Sequence, residues 1–236
     1  MRTRFALILP IALAGCTPPA AKPDSTVPHS AFPNALRPSA QIVSPRWSTE
    51  VDRDKEHEAD DVMTAAGVTP SMTVADIGAG EGYYTLRLAK RVGEKGRVLA
   101  EDIIPEIHDA LALRVNRERL DNVSVKLGTP TDATLPAGSF DRIFMVHMYH
   151  EIESPLEFLW RLRPALNTNG MVIVVDADRP TTEHGTPPAL LICEFGQLGY
   201  RLVDLKKMPS AGGYIARFTQ QGERPSPDQI KPCALG

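Results

Sequence analysis

Cysteine and basic charge are both scarce in this chain. It has three cysteines among 236 residues. Cys193 and Cys233 could pair in an oxidising compartment, but their separation and surroundings do not form the pattern of a disulfide framework. Cys193 lies in an apolar helical stretch and is predicted to belong to the core. With 26 Lys and Arg against 29 Asp and Glu, the net charge is −3, which gives no support to nucleic-acid binding.

No apolar run is long enough to span a bilayer, and a run of ten residues lies at the start. Arg2 and Arg4 precede the apolar residues 5–14. Ten apolar residues are too few to span a bilayer but typical of a secretory signal. Loss of the two arginines with this signal takes the net charge from −3 to −5. Residues 1–15 are therefore predicted to be a signal peptide.

The end of this signal contains a sorting motif. Its last residues, Leu-Ala-Gly-Cys at 13–16, resemble a bacterial lipobox, which implies that Cys16 becomes the lipid-modified first residue of the mature protein. The alternative is an ordinary signal peptide with a chance cysteine. Several acyl chains would hold the protein stably on a membrane, whereas one binds only marginally. Thr17 in place of aspartate favours, by the same resemblance, the outer membrane facing the periplasm.

Proline-rich segments flank the central part of the chain. Residues 16–45 are rich in Pro, Ala, Ser and Thr, a composition that buries little apolar surface and predicts a disordered tether. Residues 222–236 contain three further prolines and are predicted to be a flexible tail. A single domain over residues 46–221 remains, large enough for one sizeable core.

Strand-like and helical patterns alternate along this domain. Alternation of this kind predicts an α/β fold with a parallel sheet, joined by right-handed crossovers. The last two strands have no helix between them, so one of them must run antiparallel. The predicted strands are 73–77, 97–101, 123–127, 140–146, 171–176, 200–207 and 213–218, and the predicted helices are 50–66, 83–92, 107–120, 156–166 and 189–198.

Three closely spaced glycines follow the first predicted strand. The stretch reads Asp76-Ile77-Gly78-Ala79-Gly80-Glu81-Gly82. Glycine tolerates positive φ and allows a ligand to lie against the backbone, and a helix N-terminus directly after it suits a nucleotide-like ligand. The spacing is G-x-G-x-G rather than the G-x-G-x-x-G of dinucleotide-binding proteins. This argues against an NAD-dependent oxidoreductase.

Together with Asp102 after the second strand, this stretch resembles motif I and the following acidic position of class I S-adenosylmethionine-dependent methyltransferases. The resemblance covers residues 70–219. It implies a Rossmann-like seven-stranded, mostly parallel sheet of order 3-2-1-4-5-7-6, with helices on both faces and one antiparallel strand. It also implies S-adenosylmethionine as cofactor, bound by Asp76, Gly78, Gly80, Gly82 and Asp102. Glu101 replaces Asp102 if the strand register differs by one residue.

The resemblance extends to two further places. An acid after strand three often binds the adenine amino group in this family, and Asp132 is the matching residue; the alternative is a turn-forming surface aspartate. At the end of strand four, where strands of such sheets face the ligand, His147 and His150 are candidate general bases, since the unperturbed pKa of histidine is near neutrality. The alternative is that they pack or line the cofactor pocket, as histidines at this place often do in small-molecule methyltransferases. Because His147-x-x-His150-Glu151 leaves a strand and lacks helical spacing, no metal site is expected.

The family resemblance predicts an enzyme that methylates a small molecule or an exposed surface group. The Asn/Asp-Pro-Pro-aromatic loop of amino-methylating nucleic-acid enzymes is absent after strand four, which again argues against nucleic-acid substrates. The alternative is a catalytically inactive lipoprotein of the same fold that binds a ligand or partner. It arises because S-adenosylmethionine is made in the cytosol, while the signal peptide predicts export.

Overall fold

The computed structural model describes residues 26–42 and 49–234. Cys16 and the lipobox lie outside these residues. The described part contains six α-helices and seven strands. The helices are α1 Glu50–Lys55, α2 Glu58–Ala65, α3 Tyr83–Val92, α4 Pro105–Arg117, α5 Pro155–Leu162 and α6 Pro188–Gln197. The strands are β1 Thr73–Ile77, β2 Arg97–Asp102, β3 Val123–Leu127, β4 Phe140–Val146, β5 Leu166–Asp176, β6 Tyr200–Met208 and β7 Gly213–Gln220. None of the helices described is long and apolar enough to cross a bilayer.

All seven strands form one sheet of order β3-β2-β1-β4-β5-β7-β6. β1 to β5 are parallel, and β7 runs antiparallel to both β5 and β6. This confirms the predicted order and the antiparallel strand. The chain moves outward from β1 to β2 and β3, then returns to the other side of β1 with β4. The order therefore reverses between β1 and β4, which is where open α/β sheets bind ligands.

Side chains of the central strands alternate between two cores, one on each face of the sheet. On β1, Val74 packs in the same core as Val62 of α2 and Leu88 of α3. Its neighbour Ala75 belongs to the core that contains Leu159 of α5. Successive strand residues point to opposite faces, so a strand buried on both faces must be apolar throughout. The continuous apolar runs of the sequence follow from this arrangement.

Two predicted helices are shorter in the structure. The predicted helix 50–66 is divided into α1 and α2 at His57, whose φ of 58° is left-handed. The predicted helix 156–166 ends at Leu162, and β5 already begins at Leu166 rather than at Met171. Pro164 lacks the N–H that would continue the helix, and a short 3₁₀ turn replaces it.

The segment 26–42 packs on the domain, and the expectation of a disordered tether is wrong for these residues. Phe32 is buried and lies edge-on to Trp160, with ring centroids 5.2 Å apart. Arg37 is buried, and its Nε donates to Glu194 Oε1 over 2.9 Å. The amide of Ala40 donates to the carbonyl of His150. The proline-rich composition predicted disorder and gave no indication that these few side chains pack on the domain.

The C-terminal segment is also anchored, contrary to the predicted flexible tail. A disulfide joins Cys193 of α6 to Cys233, and Ile230 is buried in the core. The expectation that Cys193 is a core residue is wrong, because Cys193 is exposed on α6. Its disulfide partner Cys233 is the buried one. A pairing across 40 residues of sequence produces no local spacing motif, which is why the sequence did not predict it.

Candidate active site

A cavity of about 780 Å³ lies at the carboxyl ends of β1, β2 and β4. This is the edge at which the strand order reverses. Its volume is within the range of small-molecule sites, which are about 300–1,000 Å³. The wall combines the glycine loop after β1, the end of β2, the segment after β4 and residues of α1 and of the segment 39–42.

The glycine loop is held in backbone conformations that favour glycine. Gly78 has φ +65°, and a Cβ there would lie 3.1 Å from Cγ of Met148 across the cavity. Gly82, at the N-terminus of α3, has φ +90°. An L-residue pays a steric penalty in this region of φ. The loop can therefore approach a ligand with its backbone.

Replacing Gly82 by alanine is expected to lower the free energy of unfolding by about 2–3 kcal/mol. Left-handed φ costs roughly 1–2 kcal/mol, and the new Cβ would lie 2.5 Å from Cδ1 of the buried Leu111, which adds an overpacking cost. Gly212→Ala is the matched control, because Gly212 has φ +66° in the same left-handed region but no heavy atom within 4 Å of its added Cβ. Urea denaturation of both variants measures the difference. Equal losses would show that contact with Leu111 contributes nothing.

Asp102 lies at the cavity wall with its carboxylate facing the glycine loop. The amide of Gly80 donates to its Oδ2 and the amide of Ile104 to its Oδ1, both over 3.0 Å. Each carboxylate oxygen keeps a further lone-pair site for a ligand hydroxyl. Glu101, the alternative in the shifted register, also borders the cavity. Its carboxyl lies so close to Gly128 that any Cβ on that glycine would overlap Oε1.

Two buried carboxyl groups beside the cavity have raised pKa values. Burial, reinforced by the charge of Asp102, raises the pKa of Glu101 to about 8. Glu101 Oε1 is buried and has no hydrogen-bond partner among the described residues. Burial also raises the pKa of Asp76 to about 6, against the hydrogen bond that the Thr85 hydroxyl donates over 2.6 Å. Three carboxyl groups, those of Asp76, Glu101 and Asp102, therefore lie close together at the cavity and form its acidic floor.

The raised pKa of Glu101 predicts a pH-dependent stability. An unfolded chain releases this proton near pH 4.5, whereas the folded protein retains it up to about pH 8. Between these values the unfolded state binds fewer protons, so the contribution of Glu101 to stability falls as pH rises. Glutamine mimics the neutral acid. We expect Glu101→Gln to gain stability relative to the parent protein as pH is raised from 5 to 8.

Urea denaturation at pH 5, 6, 7 and 8 measures this difference. Glu118→Gln, at an exposed position on the chain, is the matched control for replacing a glutamate by glutamine. Parallel stability curves for the parent protein and Glu101→Gln would contradict the prediction.

A charged and aromatic cluster of Arg53, Glu58, Tyr83 and Tyr84 lies beside the cavity, and all but Glu58 border it. Glu58 accepts two hydrogen bonds from Arg53, of 2.8 and 2.6 Å, and one from the Tyr84 hydroxyl. Burial alone would raise the pKa of Glu58, but hydrogen bonds from Arg53 and His147 and their charges outweigh it and lower that pKa to about 2. The Arg53 guanidinium also lies 3.7 Å from the ring centroid of Tyr83. Sequence reasoning missed Arg53 and Glu58, because nothing in the charged helix pattern indicates which side chains turn inward.

The two histidine candidates occupy different places. His147, with φ 54°, lies at the cavity wall, and its Nε2 is 3.7 Å from Oε1 of Glu58. His150 is buried, and its Nδ1 lies 3.0 Å from Oδ1 of Asp176. The described cavity wall includes His147 but not His150. The structure thus separates the two residues that the sequence treated as equivalent.

Asp132 also lies apart from the cavity wall. Its Oδ1 accepts from the amide of Thr134 over 2.6 Å, a local turn contact. Thr129 and Pro130 of the same loop do border the cavity. The role of Asp132 toward adenine stays a prediction.

Comparison with known proteins agrees with this geometry. Residues 74–170 match the sequence profile of the family described as "Methyltransferase domain". A protein-L-isoaspartate O-methyltransferase of Methanococcoides burtonii is 29% identical over 107 residues, which are 45% of this chain and 50% of that protein. The chain thus spans half the length of this relative.

Solved structures extend the likeness beyond the matched segment. A SAM-dependent methyltransferase from Aquifex aeolicus is 26% identical with a TM-score of 0.62, covering 72% of this chain and 97% of its own. The [4+2]-cyclase SpnF also has a TM-score of 0.62, at 13% identity, with 81% and 90% covered. The second likeness shows the fold alone.

The residues present fit S-adenosylmethionine. The backbone of Gly78 and Gly80 borders the cavity, Asp102 keeps acceptor sites for hydroxyls, and Glu101 Oε1 is buried without a partner among the described residues. The sheet order, the cavity between β1 and β4 and the sequence match all agree with a methyltransferase that binds S-adenosylmethionine. Residues 74–170 are similar to a methyltransferase domain, the fold is that of an S-adenosylmethionine-dependent methyltransferase, and the cofactor is S-adenosylmethionine.

Proposed function

We propose that this protein transfers a methyl group from S-adenosylmethionine to a small molecule or to an exposed surface group. The observation that carries the proposal is the cavity at the switch point, with the glycine loop and Asp102 on one side and His147 and Met148 on the other. One relative is named for protein L-isoaspartate as its substrate. This supports an acceptor on a protein surface as well as a small molecule.

The acidic floor suits a cationic ligand. S-adenosylmethionine supplies an activated methyl group on a positively charged sulfonium. Asp76, Glu101 and Asp102 lie together, and their mutual repulsion contributes to the raised pKa values of Asp76 and Glu101. A positive charge in the cavity relieves this repulsion. The residues therefore favour a cation over a neutral nucleoside.

His147 is the stronger candidate for a proton acceptor. Its side chain borders the cavity, and its Nε2 lies 3.7 Å from Oε1 of Glu58. His150 instead directs Nδ1 to Asp176 away from the described wall. Methyl transfer depends mainly on alignment and exclusion of water, and a base is needed only if the acceptor must lose a proton. We assign that role to His147.

The test uses S-adenosylmethionine with a labelled methyl group. The purified protein is incubated with fractionated metabolites and proteins, and labelled products are identified by mass spectrometry. We expect label transfer that His147→Asn reduces while cofactor binding is kept; asparagine tolerates the left-handed φ of this position. Cofactor binding without any labelled product would favour the alternative, an inactive ligand-binding protein. No cofactor binding at millimolar concentration would refute the proposal.

We further propose that the protein is exported and lipid-anchored through Cys16. The signal-like start and the Cys193–Cys233 disulfide support an oxidising compartment. Export also motivates the non-catalytic alternative, because the cofactor is made in the cytosol. Cys16→Ser is expected to abolish membrane association in cell fractionation, with Cys193→Ser as the control for loss of a cysteine. Unchanged fractionation of Cys16→Ser would contradict lipidation.

A further inference from the structure

Three potential metal ligands converge beside the cavity, from two distant parts of the chain. His150 and Glu151 belong to the segment after β4, and His184 ends the turn that precedes α6. One ligand atom from each residue lies within 4.8 Å of the other two. Neither the sequence pattern nor the family assignment uses this combination, because His184 is brought in only by the fold.

The geometry of His150 resembles that of a metal-binding histidine. Its ring is buried, and Nδ1 lies 3.0 and 3.1 Å from the two carboxylate oxygens of Asp176. Asp176 also accepts from the Thr186 hydroxyl over 2.7 Å and from the amide of Ala177 over 2.9 Å. A carboxylate that accepts from these groups requires a proton on Nδ1, so the Nε2 lone pair is directed away from it.

The other ring nitrogen of His150 is Nε2. His150 Nε2 is buried and has no hydrogen-bond partner among the described residues. An unpaired buried acceptor has lost the hydrogen bonds that water makes with it in the unfolded chain. A histidine that gives one nitrogen to a carboxylate and leaves the other for a cation is the usual arrangement around protein-bound metals. The two observations on His150 are independent of the proximity of Glu151 and His184.

We propose that His150 Nε2, the Glu151 carboxylate and a ring nitrogen of His184 bind a divalent transition-metal ion. Two imidazoles and one carboxylate are a common ligand set for zinc and for iron(II), and they leave a position for water or another ligand. Ligand atoms about 2.1 Å from a tetrahedral ion lie about 3.4 Å apart. Glu151 and His184 are only partly buried, so their side chains can close the remaining distance.

The proposed site lies between two segments of the fold, the segment after β4 and the turn before α6. Glu151 also borders the cavity, while His184 belongs to the turn that carries Thr181, whose hydroxyl donates to the carbonyl of Pro38. A bound ion would therefore link the segment after β4 to the turn on which the N-terminal segment packs. The proposal goes beyond methyl transfer and does not depend on it.

The test measures Zn²⁺ binding by the protein without a histidine tag. After removal of metals with a chelator, the protein is titrated with Zn²⁺ in competition with a chromophoric chelator. We expect one tight equivalent per chain, and a rise in melting temperature with Zn²⁺, because an ion that binds only the folded state stabilises it. A titration with Fe²⁺ under anaerobic conditions identifies the preferred ion.

Two conservative variants make the assignment specific. His184→Asn suits the left-handed φ of 58° at this position, and Glu151→Gln keeps the side-chain shape. Each is expected to weaken Zn²⁺ binding by about 100-fold or more, since even outer-shell changes cost about 10- to 100-fold. His108→Asn, on α4, is the matched control and is expected to bind Zn²⁺ like the parent protein.

The outcomes separate this proposal from the proposed function. S-adenosylmethionine binding by His184→Asn is expected to be unchanged, so loss of metal and loss of cofactor are distinguishable. The proposal is overturned if the parent protein binds neither Zn²⁺ nor Fe²⁺ tightly at one equivalent per chain. It is also overturned if His184→Asn and Glu151→Gln bind Zn²⁺ as tightly as the parent, in which case His150 serves only to hold Asp176.

Discussion

Replacing Arg37 by alanine is expected to lower the free energy of unfolding by about 3–5 kcal/mol. Arg37 and Glu194 form an ion pair whose side chains are 1% and 2% exposed. Removing one partner of a buried pair leaves the other charge without compensation, which is the costly way to break it. The Tyr149 hydroxyl still donates to Glu194 over 2.6 Å, but a single neutral donor does not replace a guanidinium.

The matched control for this loss is Arg117→Ala. The Arg117 side chain is 72% exposed and lies 3.8 Å from Glu118, and exposed pairs contribute about 0–1 kcal/mol. Both variants are compared by urea denaturation of the full mature chain. If residues 26–42 are a flexible tether, Arg37→Ala will unfold at the same urea concentration as Arg117→Ala. That result would contradict the packing of the N-terminal segment.

Replacing Asp102 by alanine is expected to weaken S-adenosylmethionine binding by about 100-fold. Hydrogen bonds to a charged group contribute about 1.5–3 kcal/mol, and about 2.7 kcal/mol corresponds to 100-fold in affinity. Asp102 also holds the amides of Gly80 and Ile104, so its loss loosens the loop that faces the ligand. Isothermal titration calorimetry measures the effect, with the exposed Asp109→Ala as the matched control.

A second ligand separates contact with ribose from loosening of the loop. A cofactor analogue without the two ribose hydroxyls cannot donate their hydrogen bonds to the Asp102 carboxylate. If the ribose contact dominates, Asp102→Ala will weaken S-adenosylmethionine binding far more than binding of this analogue. Equal losses for both ligands would show that Asp102 acts only by holding Gly80 and Ile104. Unchanged affinity for S-adenosylmethionine would overturn the assignment of Asp102.

Much of the fold was predictable because its signals are local. The apolar run of β1 and the glycines after it lie within ten residues of sequence, and strand–helix alternation requires a parallel sheet. Asp102 is the last residue of β2, one position inside the strand rather than after it, and the structure puts it at the cavity wall. The antiparallel end of the sheet follows from the missing helix between β6 and β7.

Side chains that come from separate elements could not be placed in this way. Arg53 borders the cavity, and Glu58 pairs with it across the break between α1 and α2 at His57, which a charged helix pattern does not show. His147 and His150 are three residues apart, yet the left-handed turn at His147 directs one to the cavity and the other to Asp176. Such outcomes depend on backbone direction after the strand rather than on residue type.

The sequence by itself determined the alternation of strands and helices and the glycine loop with Asp102, because strand periodicity, turn chemistry and a compact motif act over short distances. The order of the strands was predicted only through the resemblance to methyltransferases that these motifs carry. Only the tertiary structure decided the pairing of Cys193 with Cys233, the burial of Arg37 against Glu194 and the approach of His184 to His150. Each of these contacts joins residues far apart in the chain. Their free energy comes from packing and desolvation that exist only once the sheet and its helices are assembled.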